Sequence, residues 1–293
     1  MPIDVEGRFM LRDPISLAPS EPVIHLDMGS AMMRPRILDL LSVAMEVAPD
    51  GKTFALGMKD GNIEFWDFAT GTNTVLKAHS AKVRALAFSP KSRKLTTVGG
   101  DGAVHLWDLG SPVSKVASAR LERVSSENWS LCVRYSPNGN LIAVGSGNQL
   151  SLLDSTDLRR KTPVIEIPRL LSLRFSPDGR QLASGHGGGR LRLWDTHSWN
   201  YRSLVGHELP QSDIAFSPDG RRMVSGGDKM IVWDTETWQQ LATYPLPIQD
   251  IGLITFSPDG NDLVTCDPSA IRIWRAASFD QINEQETREG RWK

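Results

Sequence analysis

One short pattern returns six times along this chain: an apolar, β-prone run that stops at Ser-Pro or Ala-Pro, followed in most copies by Asp or Asn and then Gly. Its prolines are Pro49, Pro90, Pro137, Pro177, Pro218 and Pro258, separated by 41, 47, 40, 41 and 40 residues. A second marker keeps step about 16 residues after each proline: Trp66-Asp67, Trp107-Asp108, Leu153-Asp154, Trp194-Asp195, Trp233-Asp234 and Trp274-Arg275. Two markers in phase at such a period mean one supersecondary unit repeated, and that decides the fold class before any single residue is weighed.

Lys82 to Asp108 contain most of one unit. Val83 to Phe88 are short, apolar and β-prone, and they end at Ser89-Pro90. Proline removes an amide donor and fixes φ, which suits the second position of a tight turn. In the sister copies Asp bonds back to the turn backbone and Gly takes a positive φ. Lys94 to Val98 resume the apolar pattern, and Gly100-Asp101-Gly102 makes a second turn. Beyond it Val104 and Leu106 alternate with His105 and Trp107, the period of a strand. Each unit is a run of antiparallel strands whose apolar face it cannot cover alone, and several such sheets packed radially cover one another.

These residues resemble the WD40 repeat. The likeness covers Leu41 to Arg275 and rests on the SPDG-type turns, the Trp-Asp pairs, and Ala78-His79 and Gly206-His207 in the place of the family's Gly-His. It implies an all-β WD40 β-propeller over 1–275, with blades near 41–77, 79–120, 128–166, 168–205, 207–246 and 249–275, and a polar tail at 276–293. The SPDG-rich wording is similar to bacterial WD-repeat arrays, which are often fused to Ser/Thr kinase or other regulatory domains.

Six copies are legible where the family most often closes with seven blades. Residues 5–27 look like a worn half-repeat, with strands expected near 8–12 and 22–27. The family commonly seals its ring by lending an N-terminal strand to the last sheet, so Val23 to Leu26 are expected to complete the blade that ends at Trp274. The alternative is a fragment of a longer array with an incomplete ring. Short helices are conceivable at Met28 to Leu40 and Ser278 to Glu286, and the long interval from Ser111 to Asn128 reads as an extended surface loop.

Composition narrows the function. With 33 Lys and Arg against 34 Asp and Glu, no global field draws the 293-residue chain to nucleic acid or an anionic membrane. No apolar run reaches the ~18 residues of a membrane span, and Met1 to Gly7 lack the plan of a secretion signal. Cys132 and Cys266 form no CxxC pair, which fits small core fillers in a reducing, cytoplasmic setting.

His79, Thr97, Asp101 and Trp107 have the residue types of nucleophilic catalysis. The resemblance implies instead a buried hydrogen-bond tetrad, nearly repeated by His207, Ser225, Asp228 and Trp233. Other units depart from it, with Leu56 at the hydroxyl position, Leu153 for Trp and Gly188 for Asp, and are expected to rely on apolar packing. The glycines of Gly185-His186-Gly187-Gly188-Gly189 and Gly145-Ser146-Gly147 precede no Gly-Lys-Ser/Thr and read as tight turns. His25, His105, His186 and His197 lack ligand spacing, and HRD and DFG are missing. No catalytic residue, metal or cofactor is therefore expected.

WD propellers usually meet partners on the narrow face, where the inner strands begin. By alignment Lys59, Lys82, Arg84, Trp129, Leu131, Arg169 and Leu171 fall there. Arg84 and Arg169 suit carboxylates and Trp129 and Leu171 an apolar anchor, so an acidic or amphipathic protein segment is the expected partner of a scaffold that is monomeric unless an open edge drives association. Trp129 either stands exposed as a hot spot or packs under the 111–128 loop. An enzyme or metabolite binder would need convergent histidines or carboxylates in the central channel, which the apolar inner strands are not expected to supply. A regulatory remnant of a kinase-fused array is the third reading.

Overall fold

The structure, a computed structural model, describes residues 15–16, 44–122, 131–210, 213–245, 253–267 and 270–275. Among them the chain forms six four-stranded antiparallel sheets. Their innermost strands are Ala44–Val47, Val83–Phe88, Leu131–Tyr135, Leu170–Phe175, Asp213–Phe216 and Leu253–Phe256. Each packs against the next in chain order, so the sheets stand radially around a common axis. Every inner strand leads into a proline-containing turn, which gathers those turns on one face and the strand beginnings on the opposite one.

The apolar face of each sheet is covered by its neighbour. Val98, Leu106, Val133, Ile142 and Leu153 fill the space between the second and third sheets. Leu152, Leu173, Leu182 and Trp194 do so between the third and fourth. Further clusters centre on Ile214 and Trp233, on Ile63 and Leu95, and on Val232 and Ile254. A buried Leu or Ile contributes about 1.5–3 kcal/mol, so contacts between sheets dominate the cohesion.

Serine is the centre of the proline turns. Ser176 Oγ donates to Asp178 Oδ1 at 2.6 Å and accepts from the Gln181 amide at 3.0 Å. Asp178 Oδ1 accepts the Arg180 amide in turn, and Gly179 takes a φ of 72°. Ser136, Ser217 and Ser257 repeat the bond to the Asn or Asp two residues on. The Asp of Trp-Asp shapes a different turn. Asp195 Oδ1 accepts the amides of His197 and Ser198 and so closes the connection into the outermost strand. Asp67 and Asp234 act in the same way.

Two sequence expectations change. The strand completing the sixth sheet is Ile15–Ser16, with Ile15 opposite Ile273 and Ser16 opposite Arg272, upstream of the Val23 to Leu26 expected there. A two-residue pairing has no periodic signal, whereas the alternation at Pro22 to Asp27 does; those residues, strands 8–12 and 22–27, and the helices considered at 28–40 and 278–286 lie outside the described residues. The supposed loop from Ser111 to Asn128 contains a seven-residue strand, Ser114–Arg120, paired with Ala103–Asp108. Its exposure alternates partway along, as an outermost strand with one wet face requires.

Ser176→Ala removes a donor and an acceptor from one turn and is expected to lower stability by about 1–2 kcal/mol. Ala48→Ser, which supplies the hydroxyl the first turn lacks, is expected to raise it. Urea midpoints at unchanged m-value measure both.

Candidate functional site

The most elaborate side-chain chemistry lies around the tryptophans. In the second sheet Trp107 Nε1 donates to Thr97 Oγ1 at 3.0 Å, and His79 Nε2 meets the same hydroxyl at 2.8 Å. His79 Nδ1 meets Asp101 Oδ1 at 3.1 Å. The network assigns the ring proton to Nδ1, donated to Asp101, while the Thr97 hydroxyl donates to Nε2. In the fifth sheet Trp233, Ser225, His207 and Asp228 repeat the chain at 2.8, 2.8 and 3.0 Å. An Asp-His-hydroxyl array of this geometry would serve a nucleophile if substrate could approach. Thr97 and Ser225 are both fully buried, with an indole against the hydroxyl, which leaves a substrate no approach to either oxygen.

Strand register holds this arrangement. Trp107, Trp194, Trp233 and Trp274 lie opposite Leu95, Leu182, Met223 and Leu263, each two residues before the hydroxyl on its strand. The indole therefore meets a diagonal neighbour on the same face. The hairpin of the fifth sheet is two residues shorter than that of the second, and two is the period of a strand, so the faces stay matched.

In two of the sheets that break the pattern, the first and the fourth, the indole still finds an acceptor, which corrects the expectation that they rely on apolar packing; the third does rely on it. In the fourth, Trp194 Nε1 donates to Ser184 Oγ at 2.8 Å, and His186 Nε2 meets that oxygen at 3.0 Å. His186 ends the strand Gln181–His186 instead of lying in the glycine turn, and its Nδ1 bonds the Pro168 carbonyl in place of an Asp. In the first, Leu56 offers no oxygen and Trp66 Nε1 donates to Glu64 Oε2 at 3.0 Å. In the sixth Thr265 accepts from Trp274 at 3.0 Å. The third has lost hydroxyl and indole together, and Val144 and Leu153 share an apolar cluster. Removing both partners of a buried bond costs little, whereas removing one strands the other.

At the opposite extreme of accessibility, a cavity of about 260 Å³ opens on the axis and touches all six inner strands. Arg84, Leu131 and Leu171 line it. Arg84 is the extra residue of a bulge, since Val83 pairs with Gly99 and Ala85 with Val98; Leu171 is the extra residue of another, between Leu170 and Ser172. A bulge re-aims one side chain, and both have turned theirs to the axis. Lys59, Lys82 and Arg169 do not line the cavity. Lys82 is close enough to Arg84 and Lys59 that, after burial, their charges depress its pKa. Arg169 is exposed with a left-handed φ of 44°, its amide bonded to Asn148 Oδ1. Trp129 lies outside the described residues.

Contrary to expectation the channel is charged. Arg134 lines the cavity, and Arg174 donates from Nε to the Ile214 carbonyl at 3.0 Å and approaches Asp213 Oδ1 at 3.5 Å. Asp213 Oδ2 accepts the Ile254 amide at 2.9 Å, so one ionic chain ties the fourth, fifth and sixth sheets. Burial pushes the Glu46 carboxyl up to about 7 even though Arg134 and Arg174 pull it down. The repeat holds a signal that could have found them: the residue three before each turn proline reads Glu46, Ala87, Arg134, Arg174, Ala215 and Thr255.

Among known proteins, a family model described as the DDB1- and CUL4-associated factor 12 beta propeller matches residues 63–225, more than half of the chain. The chain belongs to the WD40 β-propeller family. Protein groucho of Drosophila melanogaster is 29% identical over 214 residues, covering 70% of this chain and 29% of the fly protein. Transducin-like enhancer protein 2 of Mus musculus is 30% identical over 185 residues, covering 60% of this chain and 24% of the mouse protein. The WD40 chain thus spans less than a third of these relatives' length. A chain in the crystal structure of the mitotic checkpoint complex shares its fold, with a TM-score of 0.70 at 18% identity over 80% of this chain and 75% of that one.

Burial favours the neutral form of four histidines in this WD40 sheet array, His79, His105, His186 and His207. Burial lowers the pKa of His79 and His207 despite their aspartates, and takes His105 and His186 down to about 4. A folded-state value below the unfolded 6.5 means that the unfolded chain binds more protons between the two. Stability from these groups is present above pH 6.5 and is lost as pH falls through their folded values, about 4 for His105 and His186. Glu46 works in the opposite sense, its raised value favouring the fold at low pH and ceasing to do so as pH rises through about 7.

The stability difference between wild type and His186→Gln is expected to grow from pH 4 to 6.5 and to be flat above, as measured by urea titration along a pH series. Thr97→Val strands the His79 nitrogen and the Trp107 N–H and is expected to cost about 2–5 kcal/mol, against less than about 1 kcal/mol for Thr97→Ser. The same denaturation assay reads both.

Proposed function

We propose that this WD40 propeller is a non-catalytic, cytoplasmic scaffold that holds an acidic or amphipathic segment of a partner protein on the face where its inner strands begin. The observation that carries the reading is the pair of bulges that turn Arg84 and Leu171 into the mouth of one axial cavity, beside Leu131. A cation next to two apolar side chains in a concavity is the composition a carboxylate-bearing apolar anchor fits.

Lys59 and Lys82 extend the positive charge outward from Arg84, and the left-handed backbone of Arg169 supports a functional reason for its placement. Trp129 belongs to the same proposed surface by its place in the repeat. Family membership rests on the matching family model, and the relatives' own activities belong to proteins of which this chain spans less than a third. A metabolite-binding channel is the second reading, favoured by the charged residues there. Against it, 260 Å³ is below the ~300–1,000 Å³ of typical small-molecule pockets, and no group of three or more His, Cys, Asp or Glu able to hold a metal occurs among the described residues.

Arg84→Glu combined with Arg169→Glu is expected to reduce capture of co-purifying partners at least about tenfold, the effect of replacing attraction by repulsion at two sites. Quantitative affinity purification with mass spectrometry measures it, with thermal melting as the folding control. Unchanged capture removes this face from consideration.

A further inference from the structure

Three polar atoms at the axis have no protein partner. Arg134 spends Nη1 on the Val133 carbonyl at 2.8 Å, while its Nε is buried with nothing to donate to. The Ser172 hydroxyl, which lines the same cavity, is buried and unpartnered, and so is Glu46 Oε2. Buried donors and acceptors are almost always satisfied, so each such group calls for a reason. The two residues that carry unsatisfied donors, Arg134 and Ser172, line a cavity that a further cation, Arg84, also lines.

Nearly every inner strand contributes to the charge balance around Glu46. Arg134 and Arg174 act on it from the third and fourth sheets, and the Phe88 amide bonds it from the second. Tyr135, whose hydroxyl is 2.7 Å from Thr96, is pushed up to about 12 chiefly by burial, with the Glu46 charge adding to it. Asp213 of the fifth sheet is committed to Arg174 and the Ile254 amide. The inner strand of the sixth, Leu253–Phe256, has no ionisable side chain. Arg84, Arg134 and Arg174 therefore face one committed carboxylate and one that is half protonated near neutrality, leaving the channel net positive.

We propose that the axial cavity is a proton-linked carboxylate site, in which Arg134 Nε, Ser172 and Arg84 receive a carboxylate and Glu46 competes with it for the arginines. The proposal rests on the scaffold reading insofar as the carboxylate belongs to a partner segment, and a free dicarboxylate satisfies the same groups. The cavity has room for one acidic side chain or a small acid and not for a larger ligand. When Glu46 is ionised it neutralises the guanidinium charge itself. When protonated it releases that charge to the incoming anion. Binding then tightens as pH falls through about 7, the value of the Glu46 carboxyl.

The test follows the Arg Nε–H resonances of the full chain by NMR, with Arg134 assigned through Arg134→Lys, during titration with succinate and with an acetylated hexapeptide of alternating Leu and Glu. A saturable shift of the Arg134 signal is expected, with apparent affinity about tenfold higher at pH 6 than at pH 8, as the protonated fraction of a group titrating near 7 dictates. In Glu46→Gln the pH 6 affinity is expected at both pH values, with an unchanged thermal melt showing that the fold is intact. A response to peptide alone assigns the carboxylate to a partner segment, and a response to succinate assigns it also to free acids. No saturable shift with either probe, or a pH slope that survives in Glu46→Gln, overturns the proposal. Loss of capture in the Arg84 and Arg169 double variant with a silent Arg134 would sink this site while leaving the scaffold reading standing.

Discussion

A buried indole N–H must find an acceptor, and most of this chain's side-chain order follows from how each sheet supplies one. The tryptophan closes the space between neighbouring sheets with its ring, which is a large apolar contribution, and brings one polar atom in with it. That atom fixes the hydroxyl two residues along the facing strand, the hydroxyl orients a histidine, and the histidine reaches a turn aspartate or carbonyl. The stack links strand register to loop position in a single chain of bonds. Where the hydroxyl is missing but the indole remains, a carboxylate two residues before it steps in, as Glu64 does for Trp66.

The axis obeys a different logic. The inner strands bring small side chains there such as Ala44 and Ala85, apolar ones such as Leu131 and Leu171, and charged ones such as Arg134 and Asp213. Arg174 and Asp213 use charge as a fastener between sheets, with backbone groups completing the arrangement. Glu46 and Arg134 belong to the same tier without an equally complete partnership. One tier thus serves cohesion on one side of the ring and remains open to an anion on the other. Cys132, lining the cavity between these groups, is kept as a neutral thiol, since burial pushes its pKa up to about 11.

How far the sequence was legible depended on whether a feature repeats. The inner strands, proline turns and tryptophan strands were readable because each recurs at a fixed spacing and has a physical cause in turn chemistry or alternation. The two tetrads were readable because His79 and His207 stand in loops at matching positions. His186 was not, because it reaches the same kind of hydroxyl from the end of its own strand, and a glycine cluster on either side argued for a turn. The serine of each proline turn is visible in nearly every copy, but the bridge its hydroxyl makes between an Asp or Asn side chain and an amide exists only in the folded turn. Bulges leave no mark in an apolar run, so the aim of Arg84 and Leu171 depends on pairing that only the folded sheets display.

The pairing of Ile15–Ser16 with the final strand joins residues some 250 positions apart. Linear repeat arrays contact only their neighbours, so they can fray from an end one unit at a time. Here the last sheet is fastened to a segment that precedes the first one. The fastening is thermodynamically demanding, because closing a loop of that length costs about 5 kcal/mol in chain entropy by the logarithmic rule. Two residues of strand pairing do not offset that by themselves. The closure is thus a keystone set in place by the completed arc of sheets, and its contribution is to make their loss collective.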